Sequence, residues 1–154
     1  MKINIHASCV AIGGKGILLL GDSGAGKSDL ALRLIDGGAK LVADDRCDLF
    51  VRAGKLRAAA PASIAGLLEM RGIGIVALPH AASAPLAMAV RLSQKSRQIR
   101  LPQPAFYLPA AALKTSHRVP LIVVKADAPS APARIRMALM AFSAGGFRDT
   151  FNPE

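Results

Sequence analysis

The stretch Ile17-Leu18-Leu19-Leu20-Gly21-Asp22-Ser23-Gly24-Ala25-Gly26-Lys27-Ser28-Asp29-Leu30 decides the fold. Four apolar residues read as a buried strand, a glycine-rich turn follows, and a helix begins at Lys27. Gly21 to Ser28 meets the spacing G-x-x-x-x-G-K-S at every position. Strand before and helix after are the context in which that spacing has a mechanism. Glycines let successive backbone N–H groups turn inward around phosphate oxygens, and the helix N-terminus adds partial positive charge. Lys27 is the candidate charge for the β and γ phosphates, and the Ser28 hydroxyl the candidate Mg2+ ligand. Gly21, Asp22, Ser23, Gly24, Ala25, Gly26, Lys27 and Ser28 together form the candidate nucleotide cradle.

Outward from this loop, residues 3–12 read as a strand and Gly13-Gly14-Lys15-Gly16 as its turn. A turn at 13–16 pairs Ile12 with Ile17 and, continued, sets His6 opposite Ser23. Downstream, Lys27 to Asp36 is a helix with Leu30, Ala31, Leu34 and Ile35 inward, stopped by Gly37-Gly38. Leu41-Val42-Ala43 is a short buried strand that delivers Asp44-Asp45. A hairpin is expected over 49–51 and 56–60, and Pro61 is expected to open a second helix ending near Leu68. Strands are predicted at 73–78, 86–92 and 121–124, with loops at 79–85 and 93–104. A closing helix spans 131–142, with Ile135, Leu139 and Phe142 inward. His80 and His117 read as loop residues. The order of elements predicts one mixed α/β domain over residues 1–154, a mixed sheet with flanking helices.

Composition narrows the class. The chain has 154 residues, 52% apolar, enough for a core of its own. No apolar run approaches the ~18 residues that cross a bilayer, and the first residues lack a signal-peptide pattern. Cys9 and Cys47 have no metal-ligand spacing and read as reduced core residues. A cytoplasmic protein is the expectation. The formal charge of +10 is scattered, and five Phe, one Tyr and no Trp make a poor base-stacking platform. Nucleic acid is therefore disfavoured; an acidic protein or a phosphorylated substrate suits the charge.

The loop alone does not name a reaction. A guanine-nucleotide switch needs Asn-Lys-x-Asp, but Val124-Lys125-Ala126-Asp127 carries Val where Asn would read the base. The carboxylates then matter. Strand alternation suggests that one of Asp44 and Asp45 points into the site, where a carboxylate could take a proton from an attacking hydroxyl. A turn-capping pair is the competing reading. Glu69-Met70-Arg71-Gly72 offers another acid and base, or else a solvated helix end.

His6, the loop 21–28, Val42-Ala43-Asp44-Asp45-Arg46 and Glu69-Met70-Arg71-Gly72-Ile73-Gly74-Ile75 together resemble the catalytic domain of HPr kinase/phosphorylase. The four blocks follow the family's order over about residues 6 to 77. The resemblance implies a phosphate-loop kinase fold related to phosphoenolpyruvate carboxykinase, in the short form that lacks the family's N-terminal domain. It implies an ATP- and Mg2+-dependent kinase for a serine of HPr, the phosphocarrier of the sugar phosphotransferase system, assembled as a homohexamer. It makes His6 the active-site histidine, Lys27 the phosphate-loop lysine and Asp45 the proton acceptor, with Asp44 beside it. Ser28 and Glu69 match Mg2+ ligands, and Arg71 lies in the block tied to both reaction directions. A further arginine falls on Arg100, or second on Arg97. Family members that reverse the reaction carry a late loop rich in Arg, Pro and Gly. Here Lys125 to Pro132 has one cation and no glycine, which implies weak phosphorylase activity. The rival reading is a nucleotide-dependent switch or binding module with a basic surface.

Overall fold

Gly13 and Gly14 have φ of 57° and 80° in the computed structural model, which describes residues 1–95 and 98–148. Both angles lie in the left-handed region that a two-residue type I′ hairpin needs and that glycine adopts freely. They join β2 (Ser8–Ile12) to β3 (Lys15–Leu20). Ile12 therefore faces Lys15, and Ile17 faces Val10. This corrects the expected pairing of Ile12 with Ile17: two glycines complete the turn, and Lys15-Gly16 belong to the strand. The continuation of that register to His6 and Ser23 goes with it. At His6-Ala7 the chain leaves β2, and β1 (Ile3–Ile5) pairs antiparallel with β5 (Cys47–Arg52), Ile5 against Cys47.

The strand β3 lies between β2, antiparallel, and the long strand β9 (Ala84–Ser93), parallel. At its start β9 pairs antiparallel with β6 (Lys55–Ala59), which continues through β5 to β1. Farther along, Ala89 to Ser93 pair in parallel with β11 (Val119–Lys125), and β11 pairs with β10 (Ala105–Tyr107). On the other side, β4 (Lys40–Ala43) closes the path against β2. The result is a nine-stranded mixed sheet that branches at β9. The helices α1 (Lys27–Asp36) and α2 (Ala131–Ala144) cover one side. Ile17 and Leu19 point into the core they share, while Leu18 and Leu20 enter a second core with Leu49 and Leu56. Burial on both faces explains an unbroken apolar run where a half-exposed strand would alternate.

The expected helix after Pro61 is a single 3-10 turn, Ala62–Ile64. Gly66, at φ 76°, sits so close to the His80 ring that a Cβ there would fall 2.6 Å from Nδ1. The chain reverses at that point into β7 (Leu67–Met70), which pairs with β8 (Gly74–Ala77) as a separate hairpin. Sequence reading missed β10. The closing helix is as expected, with Ile135 and Leu139 buried, and it stops at Gly145 with φ 66°. Among the described residues no helix is long and apolar enough to cross a membrane.

Candidate active site

Residues 21–26 connect the end of β3 to the start of α1. The Ala25 N–H donates to the Asp22 carbonyl across 3.0 Å, and Leu30 N–H closes the first helical turn on Gly26 at 2.9 Å. Gly24 and Gly26 have φ of 82° and 102°, which a side chain would strain. A Cβ on Gly26 would also stand 3.3 Å from that of Ala126, and one on Gly21 would stand 2.9 Å from that of Ala25. The start of α1 has no side-chain cap, so its first N–H groups have no side-chain acceptor. Lys27 is 5% exposed. Its ammonium folds back onto the loop and donates to the carbonyls of Gly21 at 2.7 Å and Asp22 at 2.9 Å.

The acids sit beside this helix start. Asp44 is buried at the end of β4. Its Oδ1 accepts from the Ser28 hydroxyl at 2.6 Å and from the Ser8 hydroxyl at 3.1 Å, and its Oδ2 from the Glu69 N–H at 3.4 Å. The Ser8 oxygen in turn accepts the Asp45 N–H at 3.1 Å. One hydroxyl thus uses its proton on the first acid and a lone pair on the second.

Asp45 has φ 68°, an uncommon value for a residue with a side chain. Strand alternation is lost there, and its carboxylate turns to His6, Nε2 to Oδ1 2.6 Å. The Ala7 N–H donates to the Asp45 carbonyl at 3.1 Å and fixes the turn. Only the Asp44 carboxylate meets Ser28; Asp45 joins the same hydrogen-bonded chain through its backbone N–H, and its carboxylate carries it on to His6. Asp44 is the enclosed member, while 63% of the Asp45 side chain is exposed.

The other expected residues divide. Glu69 contributes its backbone to Asp44, and its exposed side chain lies on a strand rather than a helix end. Arg71 is exposed in the turn from β7 to β8, beside Gly72 at φ 82°. Arg100 is exposed between β9 and β10, and no hydrogen bond or ion pair among the described residues joins it to the loop 21–28. Arg97 lies outside the described residues. Among the described residues no group of three His, Cys, Asp or Glu side chains could hold a metal alone.

Three contributors escaped sequence reading. Ser8 is fully buried and bridges the acids. Gln94, just past β9, donates its amide to the Ala25 carbonyl at 2.9 Å. Arg33 reaches from α1 to the carbonyls of Ala126 and Ala128 and ties the helix to the turn after β11. Ser8 carried the one legible signal, a hydroxyl inside the apolar run Ala7-Ser8-Cys9-Val10-Ala11 that must find a partner when buried.

Residues 1–92 match the family described as HPr Serine kinase C-terminal domain. A protein named HPr kinase/phosphorylase from Clostridium tetani is 47% identical over 78 residues, 51% of this chain and 26% of its own length. One of the same name from Levilactobacillus brevis is 46% identical over 74 residues, 47% of this chain and 24% of its own. The chain thus spans about a quarter of the length of the curated relatives it matches. Among solved structures, the "Hpr(Ser) kinase/phosphatase from Coxiella burnetii" superposes with a TM-score of 0.75 at 24% identity. The match covers 92% of this chain and 97% of that one, and it supports the mixed α/β fold with a curled sheet and few helices.

Proposed function

The chain belongs to the HPr serine kinase C-terminal domain family, and from that premise we propose that it phosphorylates a serine of an HPr-type phosphocarrier protein, using ATP and Mg2+. The observation that carries this reading is the hydrogen-bonded chain from Ser28 through Asp44 and Ser8 to Asp45 and His6. It joins the last residue of the nucleotide cradle to the backbone of Asp45, whose exposed carboxylate a protein serine can reach.

The residues fit a magnesium nucleotide. Ser28 gives its proton to Asp44, so its oxygen lone pairs remain for a cation. Magnesium is commonly held by one or two protein groups plus substrate phosphates, which agrees with a site lacking three clustered ligands. Ser28 and Glu69 are the proposed metal-side residues, with Asp44 fixing Ser28. Bound there, the ion would neutralise charge on the transferring phosphoryl group.

Glycines 21, 24 and 26 leave room for phosphates against the backbone of residues 21–28. Lys27 is already stripped of most water and held by two carbonyls, and it would trade those partners for phosphate oxygens. His6 engages Oδ1 of Asp45. This leaves Oδ2 to accept the proton of the attacking serine hydroxyl as its oxygen bonds to the γ-phosphorus of ATP and the bond to the ADP oxygen breaks, with ADP leaving. Positioning of the acceptor protein supplies much of the rest. Arg71, on an exposed turn, and Arg100 are proposed to meet the phosphoryl group or acceptor once both substrates are bound.

The forward reaction should dominate. The single cation of the stretch 125–132, Lys125 at the end of β11, pairs with Asp127 at 3.6 Å. The nearby arginines are also engaged: Arg134 with Ser130 and Gln98, Arg136 with the Leu34 carbonyl. These contacts occupy donors that an incoming phosphate would need. A cytoplasmic homohexamer completes the reading, and the exposed Ile73 and Ile75 of the β7–β8 hairpin are apolar surface that an assembly would cover. Light scattering behind a sizing column tests the assembly.

The decisive experiment supplies labelled ATP, Mg2+ and purified HPr. Label on a serine of HPr, with ATP turnover dependent on HPr, supports the kinase. Turnover indifferent to HPr, with no label, favours a nucleotide-dependent switch instead.

A further inference from the structure

At the end of β3 remote from the nucleotide cradle, five segments, β9 among them, converge on a recess of about 270 Å3. Lys15 opens β3, Lys55 opens β6, His117 precedes β11 and Ser143 lies near the end of α2. Leu86 and Phe142 contribute apolar wall. None of the residues belongs to the site described above.

Among the described residues no Asp or Glu lines the recess. Neither lysine forms an ion pair among the described residues. Lys15 spends one N–H on the Ser143 hydroxyl, at 2.6 Å, and an ammonium carries three. The imidazole is fixed from behind. Its Nδ1 accepts the Leu56 N–H at 2.9 Å, so the neutral ring carries its own proton on Nε2. Thr115 pins the same segment to the β5–β6 turn by donating to the Gly54 carbonyl and accepting the His117 N–H. Burial, and then the charge of Lys55, hold His117 below its usual pKa. Cations with no counter-ion among the described residues, around an apolar-walled recess, repel one another, and a bound anion relieves that cost.

We propose that this recess is a second ligand site, for a small carboxylate with an apolar body, its head between Lys15 and Lys55 and its chain against Leu86 and Phe142. An acyl carboxylate meets both halves of the lining. Inorganic phosphate meets only the charged half, and a neutral alcohol only the apolar half.

The test is a titration of the full chain with octanoate, inorganic phosphate and octanol in parallel, following the His117 ring protons by NMR. Octanoate should shift them saturably and bind more tightly than either control. In the Lys15→Met/Lys55→Met double variant its affinity should fall about tenfold, the effect of removing two partly solvated charges. Both lysines are exposed, so the variant should fold, and an unchanged amide spectrum checks this. Phosphate binding as tight as octanoate, a shift that never saturates, or equal affinity in the double variant each overturns the proposal. Kinase activity is no part of this readout, so the result stands apart from the catalytic reading.

Discussion

Ser28 donates to Oδ1 of Asp44 across 2.6 Å, so the first turn of α1 is fastened to the end of β4 by a buried carboxylate. Three donors converge on that carboxylate, two hydroxyls and the Glu69 N–H. Asp44→Asn keeps the shape but offers one acceptor oxygen in place of two. A buried donor left unpaired costs about 1–3 kcal/mol. A melting temperature lower by several degrees is expected, together with phosphoryl transfer reduced ~10²-fold or more. Wild-type turnover in this variant would remove Asp44 from the mechanism.

Lys27 and Asp45 should separate binding from chemistry. Lys27→Ala should weaken both nucleotide affinity and turnover. Asp45→Asn should still bind ATP while phosphorylation drops by ~10² or more, because only the proton acceptor is lost. Calorimetric ATP binding beside a labelling assay reads the difference. An equal loss of ATP affinity in both variants would make Asp45 structural.

Ser8→Ala should orphan the Asp45 N–H and remove one donor from Asp44. Stability should fall by about 1–3 kcal/mol in urea unfolding. Looser placement of Asp45 should lower kcat several-fold with KM for ATP nearly unchanged. A rise in KM alone would mean that Ser8 serves the cradle and not the acid pair.

The pairing of Lys125 with Asp127 leads to a directional prediction. Given serine-phosphorylated HPr, inorganic phosphate and Mg2+, pyrophosphate should form much more slowly than the kinase reaction runs. Reversal as fast as the forward reaction would show that an arginine-rich loop after β11 is not required.

Burial pushes the Cys47 thiol up to about 12 and raises that of Cys9 as well. Both thiols are buried and unpaired with each other. A disulfide reagent at pH 8 should therefore modify neither in the native protein and both after unfolding. Rapid labelling of folded protein would contradict the burial of β2 and β5.

Particular residues explain how far the sequence could be read. The cradle was legible because glycines, lysine and serine recur at a spacing dictated by phosphate chemistry. The acid pair was legible as a pair, but the backbone turn at its second member was not. Asp45 adopts a left-handed backbone that the Ala7 and Ser8 contacts hold, and such contacts are not local in sequence. His6 is singled out by resemblance, while the register argument for it fails on a two-glycine turn. Pro61 suggested a helix, but Gly66 pressed against His80 reverses the chain, and only the fold brings those two together. Arg100 had no spacing to constrain it, and among the described residues no hydrogen bond or ion pair ties it to the loop.

The long strand β9 has a consequence for how the protein comes into being. Residues 21–83 must be threaded before β9 can lie beside β3, while the β2–β3 hairpin needs only Gly13 and Gly14. Parallel pairing at such separation is a slow event in folding. The cradle then waits longer still. Gln94 and Ala126, which steady Ala25 and crowd Gly26, leave the ribosome after the family-matched stretch 1–92 is finished. A nascent chain halted there would carry every signature residue and lack the wall behind them. Competence arrives with the last third of the chain, during synthesis at ~5–20 residues per second.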